Sequence, residues 1–240
     1  FLVKIVEKMV HERDEEQEFK LTYIKFGMLN TSELSLLQAK KEIILYAQQT
    51  KKLFGRLRTM IDEKSERKFM KQFEKIEKGE DKSDEMEVSI AKYLTRVAEG
   101  ELSKESSKRI SAMLRAIDEI ESIGDSCLNM ARAMYRVQNK NDELTPDMKT
   151  NILEMYTLLD EAFDLMISNL IKDYTDVDKI STDSIEKKIN RFRNKLRKQH
   201  VKDIENEVYS YQIGTLYKDI FSESEKVGDY IYDTNMSFVE

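Results

Sequence analysis

Arg115-Ala-Ile-Asp-Glu-Ile-Glu-Ser-Ile-Gly-Asp-Ser-Cys-Leu-Asn-Met-Ala131 reads as one stretch of a long helix, and its centre returns near the end of the chain. There, Tyr217-Lys-Asp-Ile-Phe-Ser-Glu-Ser-Glu-Lys-Val-Gly-Asp-Tyr-Ile-Tyr-Asp233 repeats the pattern Glu-x-Ile/Val-Gly-Asp. Glu121 maps onto Glu225, Gly124 onto Gly228 and Asp125 onto Asp229, each at an offset of 104. A fixed offset of that size predicts two copies of a unit of about a hundred residues. Ile110, Met113, Leu114, Ile117, Gly124, Leu128, Ala131 and Tyr135 follow the spacing of an apolar helical stripe. Glu121 falls inside the stripe and Asp125 beside it, and residues four apart share one helix face. Acids beside a core face repel each other and resist losing water. A hard cation, a basic side chain or a proton would each offset that cost. Gly124 costs about 1 kcal/mol in mid-helix relative to alanine, and the close approach of a neighbouring helix is the simplest reason to keep it.

Working outward, the remaining chain also reads as helices. Residues 1–18 have a polar helical pattern with apolar spacing at Leu2, Ile5, Val6 and Met9, and residues 19–30 look like an extended connector. Thr31 or Ser32 caps a first helix running to about residue 63, a second spans 65–99, and Ser103 caps a third that ends near Asn139 or Asn141. The polar break over 137–145 marks the boundary between units. Thr145-Pro146-Asp147 is a strong start, with a cap, a proline at the first helical position and an acid in the first turn. This fourth helix runs to about residue 173, the polar turn 174–183 follows, and two more helices cover 184–202 and 206–238. No period-two apolar alternation suggests a strand. The predicted fold is all-α: two tandem antiparallel three-helix bundles, residues 31–140 and 145–240, preceded by an N-terminal stalk and connector over residues 1–30.

At this point the paired Glu-x-Ile/Val-Gly-Asp resembles the signature of PhoU-type domains, which are two-repeat, all-helical, spectrin-repeat-like proteins of phosphate signalling. The resemblance implies a second acidic element, Glu/Asp-x-x-x-Asp, on the middle helix of each repeat. Glu80-Asp-Lys-Ser-Asp84 is similar to it, with Met86 and Ile90 at the apolar positions that follow. In the second repeat the matching place reads Glu186-Lys-Lys-Ile-Asn190, so Asn190 stands where an aspartate is expected. The arginine of the signature is absent in both copies, where Ser122 and Lys226 stand. Thr31-Ser-Glu-Leu-Ser-Leu-Leu-Gln-Ala-Lys-Lys-Glu42 and Gly100-Glu-Leu-Ser103 are most similar to the C-terminal cytosolic domain of the sodium/phosphate cotransporter family.

That resemblance implies a metal set of Glu80, Asp84, Glu121 and Asp125 in the first repeat, and Glu186, Glu225 and Asp229 in the second. Carboxylates from facing helices suit Mg²⁺ or Mn²⁺, or iron or zinc with water completing the shell. The plainer reading is a solvated acidic ridge on charge-rich helices. The basic run from Lys187 to His200 reads as a solvated face paired with acidic neighbours, or as a contact for an anionic partner such as the inner leaflet.

The totals narrow the function. A net charge of −6 argues against a general nucleic-acid binder. The single cysteine, Cys127, excludes an internal disulfide and reads as a small core residue in a reducing compartment. His11 and His200 read as surface histidines, and neither forms the Glu-x-x-His pair of di-iron bundles. No phosphate loop, nucleophile elbow or zinc spacing is present, so nothing points to an enzyme. No stretch reaches the roughly 20 apolar residues of a membrane span. The chain opens on Phe1, which reads as a piece of a longer product. The leading expectation is therefore the regulatory domain of a sodium-dependent phosphate cotransporter at the cytoplasmic face of the bacterial inner membrane. Its partner would be the membrane-embedded part of the same chain, which would handle inorganic phosphate and sodium, and a homodimer is a further expectation. The rival is a freestanding PhoU-type regulator of a phosphate importer and its sensor kinase. A third reading is a bundle with an interaction role alone.

Overall fold

In the computed structural model, residues 21–24, 31–139, 143–173 and 176–239 are described. They form six helices and no strand: α1 (Ser32–Met60), α2 (Glu66–Ala98), α3 (Lys104–Asn139), α4 (Pro146–Ile171), α5 (Lys179–Glu205) and α6 (Tyr211–Met236). The stalk expected over residues 1–18 and most of the connector lie outside the described residues. Leu21 and Ile24 are buried, and the buried Glu42 carboxylate of α1 accepts the backbone N–H groups of Thr22 and Tyr23 at 3.1 and 2.6 Å.

Helices α1, α2 and α3 pack on one another, as do α4, α5 and α6, and each trio is one antiparallel bundle. The most extensive packing of all lies between the bundles, where α3 meets α6. Arg115 donates to the Ser237 carbonyl at 3.2 Å, and Ser224 Oγ reaches Met130 Sδ at 3.3 Å, so this pair runs antiparallel. The register sets Gly124 level with Gly228. Because α3 serves two bundles, it buries Ala116, Ile120, Ile123, Cys127, Met130 and Met134 in addition to the predicted stripe. A second seam joins α1 to α4, where Phe54 packs against Tyr156 and Phe163 at 4.9 and 5.3 Å between ring centroids. Arg58 pairs with Asp160 there at 2.9 Å, and Lys51 with Asp164.

Most helix starts follow their caps. Ser103 Oγ accepts from Ser106 N at 3.0 Å, and Thr145 Oγ1 accepts from Met148 N at 3.2 Å with Pro146 behind it. Thr31 precedes α1 without a side-chain cap, as does Ser65 before α2. Two starts differ from the sequence reading. Helix α5 begins at Lys179, because Asp178 is the cap: its carboxylate accepts from Ser181 N at 3.0 Å, while its own N–H reaches Asn169 Oδ1 at 3.1 Å. Helix α6 begins only at Tyr211, capped by Ser210, because Glu207 takes a left-handed φ of 54° that breaks the chain into a turn. His200 is not a surface histidine. It is half-buried among Tyr209, Tyr217 and Phe221, with Nδ1 2.9 Å from Tyr209 Oη, while His11 lies outside the described residues. Cys127 is fully buried, which pushes its thiol far above the ordinary range.

Candidate functional site: two acidic faces on one scaffold

The acidic residues occupy the two flanks of the α3–α6 pair, where α2 lies on α3 and α5 lies on α6. On the first flank, a Cβ added at Gly124 would sit 2.9 Å from Ser83 Oγ and 3.4 Å from Ser83 Cβ. The glycine therefore lets α2 come close, as its position in mid-helix suggested. Tyr46 of α1 holds Ser83 from the other side: its hydroxyl donates to the Ser83 carbonyl at 3.0 Å and lies 2.7 Å from Ser83 Oγ. Burial raises the Tyr46 pKa well above its ordinary value, aided by the charges of Glu121, Glu87 and Asp84, so the hydroxyl stays neutral and able to donate.

This close crossing brings three carboxylates together. Glu80 and Asp84, one turn apart on α2, meet Asp125 of α3, each offering an oxygen within 4.8 Å of the others. Among the described residues it is the one such group of three or more acids, histidines or cysteines. Glu80 is half-buried, and its pKa rises to about 7, first through burial and then through the hydrogen bond and charge of Asp125 and the charge of Asp84. The crowding of acids thus favours the protonated form of Glu80 up to near neutrality. Glu121, a turn before Asp125, lies half-buried outside the trio. Glu87, which the sequence reading passed over, is buried beyond Asp84 on α2.

The second flank repeats the crossing with different chemistry. A Cβ at Gly228 would meet Ile189 Cγ2 at 3.0 Å, so Ile189 stands to Gly228 as Ser83 stands to Gly124. That register pairs Glu186 with Glu80, Asn190 with Asp84 and Arg193 with Glu87. The Asn190 amide donates to Glu186, and the Arg193 guanidinium forms an ion pair with Glu225. Arg193 and Glu225 are both largely shielded from solvent. Asp229 is half-buried with a pKa raised to about 6, first by burial and then by Glu225 and Glu186, with Arg193 opposing. Glu186, Glu225 and Asp229 therefore lie on one face, but among the described residues they make no group of three converging oxygens.

Arg193 belongs to the basic run, yet it is turned inward while Arg191, Lys195, Lys198 and Lys202 stay exposed. A signal was available, since Arg193 follows Glu186 and Asn190 at helical spacing and falls opposite Glu87 once the middle helices are aligned through Glu80 and Glu186, an offset of 106. Between the flanks, burial raises the Glu119 pKa to about 7, with Asp233 of α6 and then Asp118 adding to it.

Comparison with known proteins agrees with this architecture. Residues 43–134, which include Glu80, Asp84, Glu121 and Asp125, match the model of the PhoU domain family. Over those residues the chain is similar to a PhoU domain. Two solved structures share the fold over most of the chain. PhoU from Pseudomonas aeruginosa superposes with a TM-score of 0.77 at 12% identity, covering 86% of this chain and 96% of its own. The phosphate transport system regulatory protein PhoU from Streptococcus pneumoniae superposes with a TM-score of 0.72 at 15% identity, covering 87% and 95%. No curated protein sequence matches the chain.

These matches correct the leading functional expectation. The relatives are PhoU proteins, one titled a regulatory protein of phosphate transport, and each is spanned almost end to end by this chain. No described helix is long and apolar enough to cross a membrane. The assignment to a sodium/phosphate cotransporter falls, and with it the membrane-embedded partner in the same chain and the handling of sodium and phosphate by such a parent. The misleading cue was the stretch from Thr31 to Glu42. Its polar start and acid in the first turn are what many helices need to begin, and Thr31 makes no side-chain cap.

Proposed function

We propose that this chain is a PhoU-type regulator of phosphate import and phosphate signalling, acting in the cytoplasm on an importer and its sensor kinase. The observation that carries this reading is the fold shared along nearly the full length of two PhoU proteins, together with the family match over residues 43–134. In this reading a cation binds at Glu80, Asp84 and Asp125, with Glu121 and Glu87 adding negative potential behind it. Three carboxylates whose oxygens lie within 4.8 Å suit an oxygen-preferring ion such as Mg²⁺ or Mn²⁺, with iron or zinc also accommodated. The ion would add positive charge among the three carboxylates, and would tie α2 to α3 at the crossing that Gly124 makes close. Partner docking then responds to how firmly these two helices are joined.

Two measurements test the proposal. Calorimetric titration with Mn²⁺ should give binding for the wild type that is lost in D84N/D125N; identical traces would refute the cation site. In cells, deleting the gene should uncouple phosphate uptake, followed with labelled phosphate, from external phosphate supply, and the wild-type copy should restore the response. Uptake that tracks supply equally well without the gene would remove the regulatory reading.

A further inference from the structure

The second acidic face shares the scaffold of the first and differs in charge. The aligned glycines fix the correspondence: Gly124 faces Ser83, and Gly228 faces Ile189. Through that register the first face presents Glu80, Asp84 and Glu87 on α2, whereas the second presents Glu186, Asn190 and Arg193 on α5. Where the first face has Asp84 the second has an amide, and where it has Glu87 the second has a guanidinium. Both replacements are engaged, Asn190 with Glu186 and Arg193 with Glu225. A cation placed among Glu186, Glu225 and Asp229 would face the shielded positive charge of Arg193, and like charges at such range oppose each other strongly where water is scarce.

We infer that the second face is a closed site carrying its own counterion, in which the Arg193 guanidinium and the Asn190 amide stand in place of a bound metal. The inference builds on the proposed cation site of the first face by leaving one such site per chain. It also reassigns Arg193 from a solvent-facing basic run to an internal clamp holding α5 on α6. The clamp is permanent, whereas a bound ion at the first face comes and goes with its concentration. The second bundle is then the fixed half of the molecule, and the first is the half that answers to cations.

The test has a metal-free arm and a metal arm, both using the full chain. With chelator present, thermal unfolding is measured for R193Q, E225Q and R193Q/E225Q. R193Q should lower the melting temperature by about 2–4 °C, the shift expected for a chain of this size when a partly exposed ion pair is lost. The double variant should lose less than the two single losses added together, because removing both partners strands no charge. Strictly additive losses, or no loss in R193Q, would overturn the clamp.

In the metal arm the first face is disabled with D84N/D125N, and bound Mn²⁺ is counted from the spin-resonance signal of the free ion. This background should hold no Mn²⁺ at the second face, and adding N190D/R193Q should create about one site per chain. Stoichiometric binding in the D84N/D125N background that disappears on adding E186Q/D229N would overturn the inference. So would an opened variant that is folded by circular dichroism and still takes up no ion. Should wild type itself bind no Mn²⁺, the first-face reading fails alone, since the thermal cycle tests the clamp without metal.

Discussion

The two flanks of the α3–α6 pair solve one problem in two ways. Each sets carboxylates beside a close helix crossing, and each crossing turns on a glycine level with its counterpart. On the first flank Glu80, Asp84 and Asp125 converge, and the pKa of Glu80 rises to about 7. On the second, Arg193 lies against Glu225 and Asn190 against Glu186. The family match covers residues 43–134, within the first half, while the shared fold runs through both. The two halves thus share one backbone geometry, held by small residues and buried apolar side chains, under different charge patterns. Two repeats can share a shape while one carries an arginine where the other has an acid, because packing depends on volume and charge balance on a few polar side chains.

The largest effect should come from closing the crossings. Leucine at Gly124 or Gly228 inserts a side chain where even a Cβ is within 3.0 Å of its neighbour, and should cost about 3 kcal/mol in urea unfolding. A cost near zero at one glycine would mean that its crossing is looser than its counterpart. Next, saturating Mn²⁺ should stabilise the wild type by about 2.7 kcal/mol at a hundred times the dissociation constant, and D84N should abolish this. An equal gain in D84N would place the ion elsewhere. Tyr46→Phe removes a buried donor from Ser83 on the first flank only, and should cost about 1–2 kcal/mol; an unchanged unfolding midpoint would show that Ser83 needs no such support.

The smallest effect concerns pH at the seam between the halves. Glu119 has its pKa raised from 4.5 to about 7 by burial and by Asp233, so the folded chain holds this proton more tightly than the unfolded chain does. Its contribution to stability is therefore complete below pH 4.5, falls as pH rises to about 7, and stays flat beyond. E119Q should raise the melting temperature at pH 8 relative to wild type and make the slope between these limits shallower. Some slope should remain, because Glu80 titrates in the same window. A slope identical to that of wild type would show that burial and Asp233 do not raise the Glu119 pKa.

How far the sequence could be read depended on whether a signal was local. The helix starts at Ser103 and Pro146 follow from capping groups a few residues away, and the role of Gly124 follows from the cost of glycine in a helix. The convergence of Glu80, Asp84 and Asp125 needed the resemblance in addition, since one helix can show only that its own acids share a face. The inward turn of Arg193 was hidden inside a run of basic residues whose other lysines and arginines are exposed. The early start of α5 at Asp178 was hidden too, because it depends partly on Asn169 nine residues upstream.

By itself, the sequence determined an all-α chain of two similar halves, each with acids and a glycine on its third helix. Periodicity, caps and a fixed repeat offset act through neighbours along the chain, so they can be read without coordinates. Tertiary structure alone decided which acids meet, that Glu121 stays outside the trio, and that Arg193 rather than solvent answers Glu225. Those outcomes depend on the rotation and spacing of packed helices, where shifts of a few ångströms separate an ion pair from an exposed charge, and no local rule in the chain sets distances that fine.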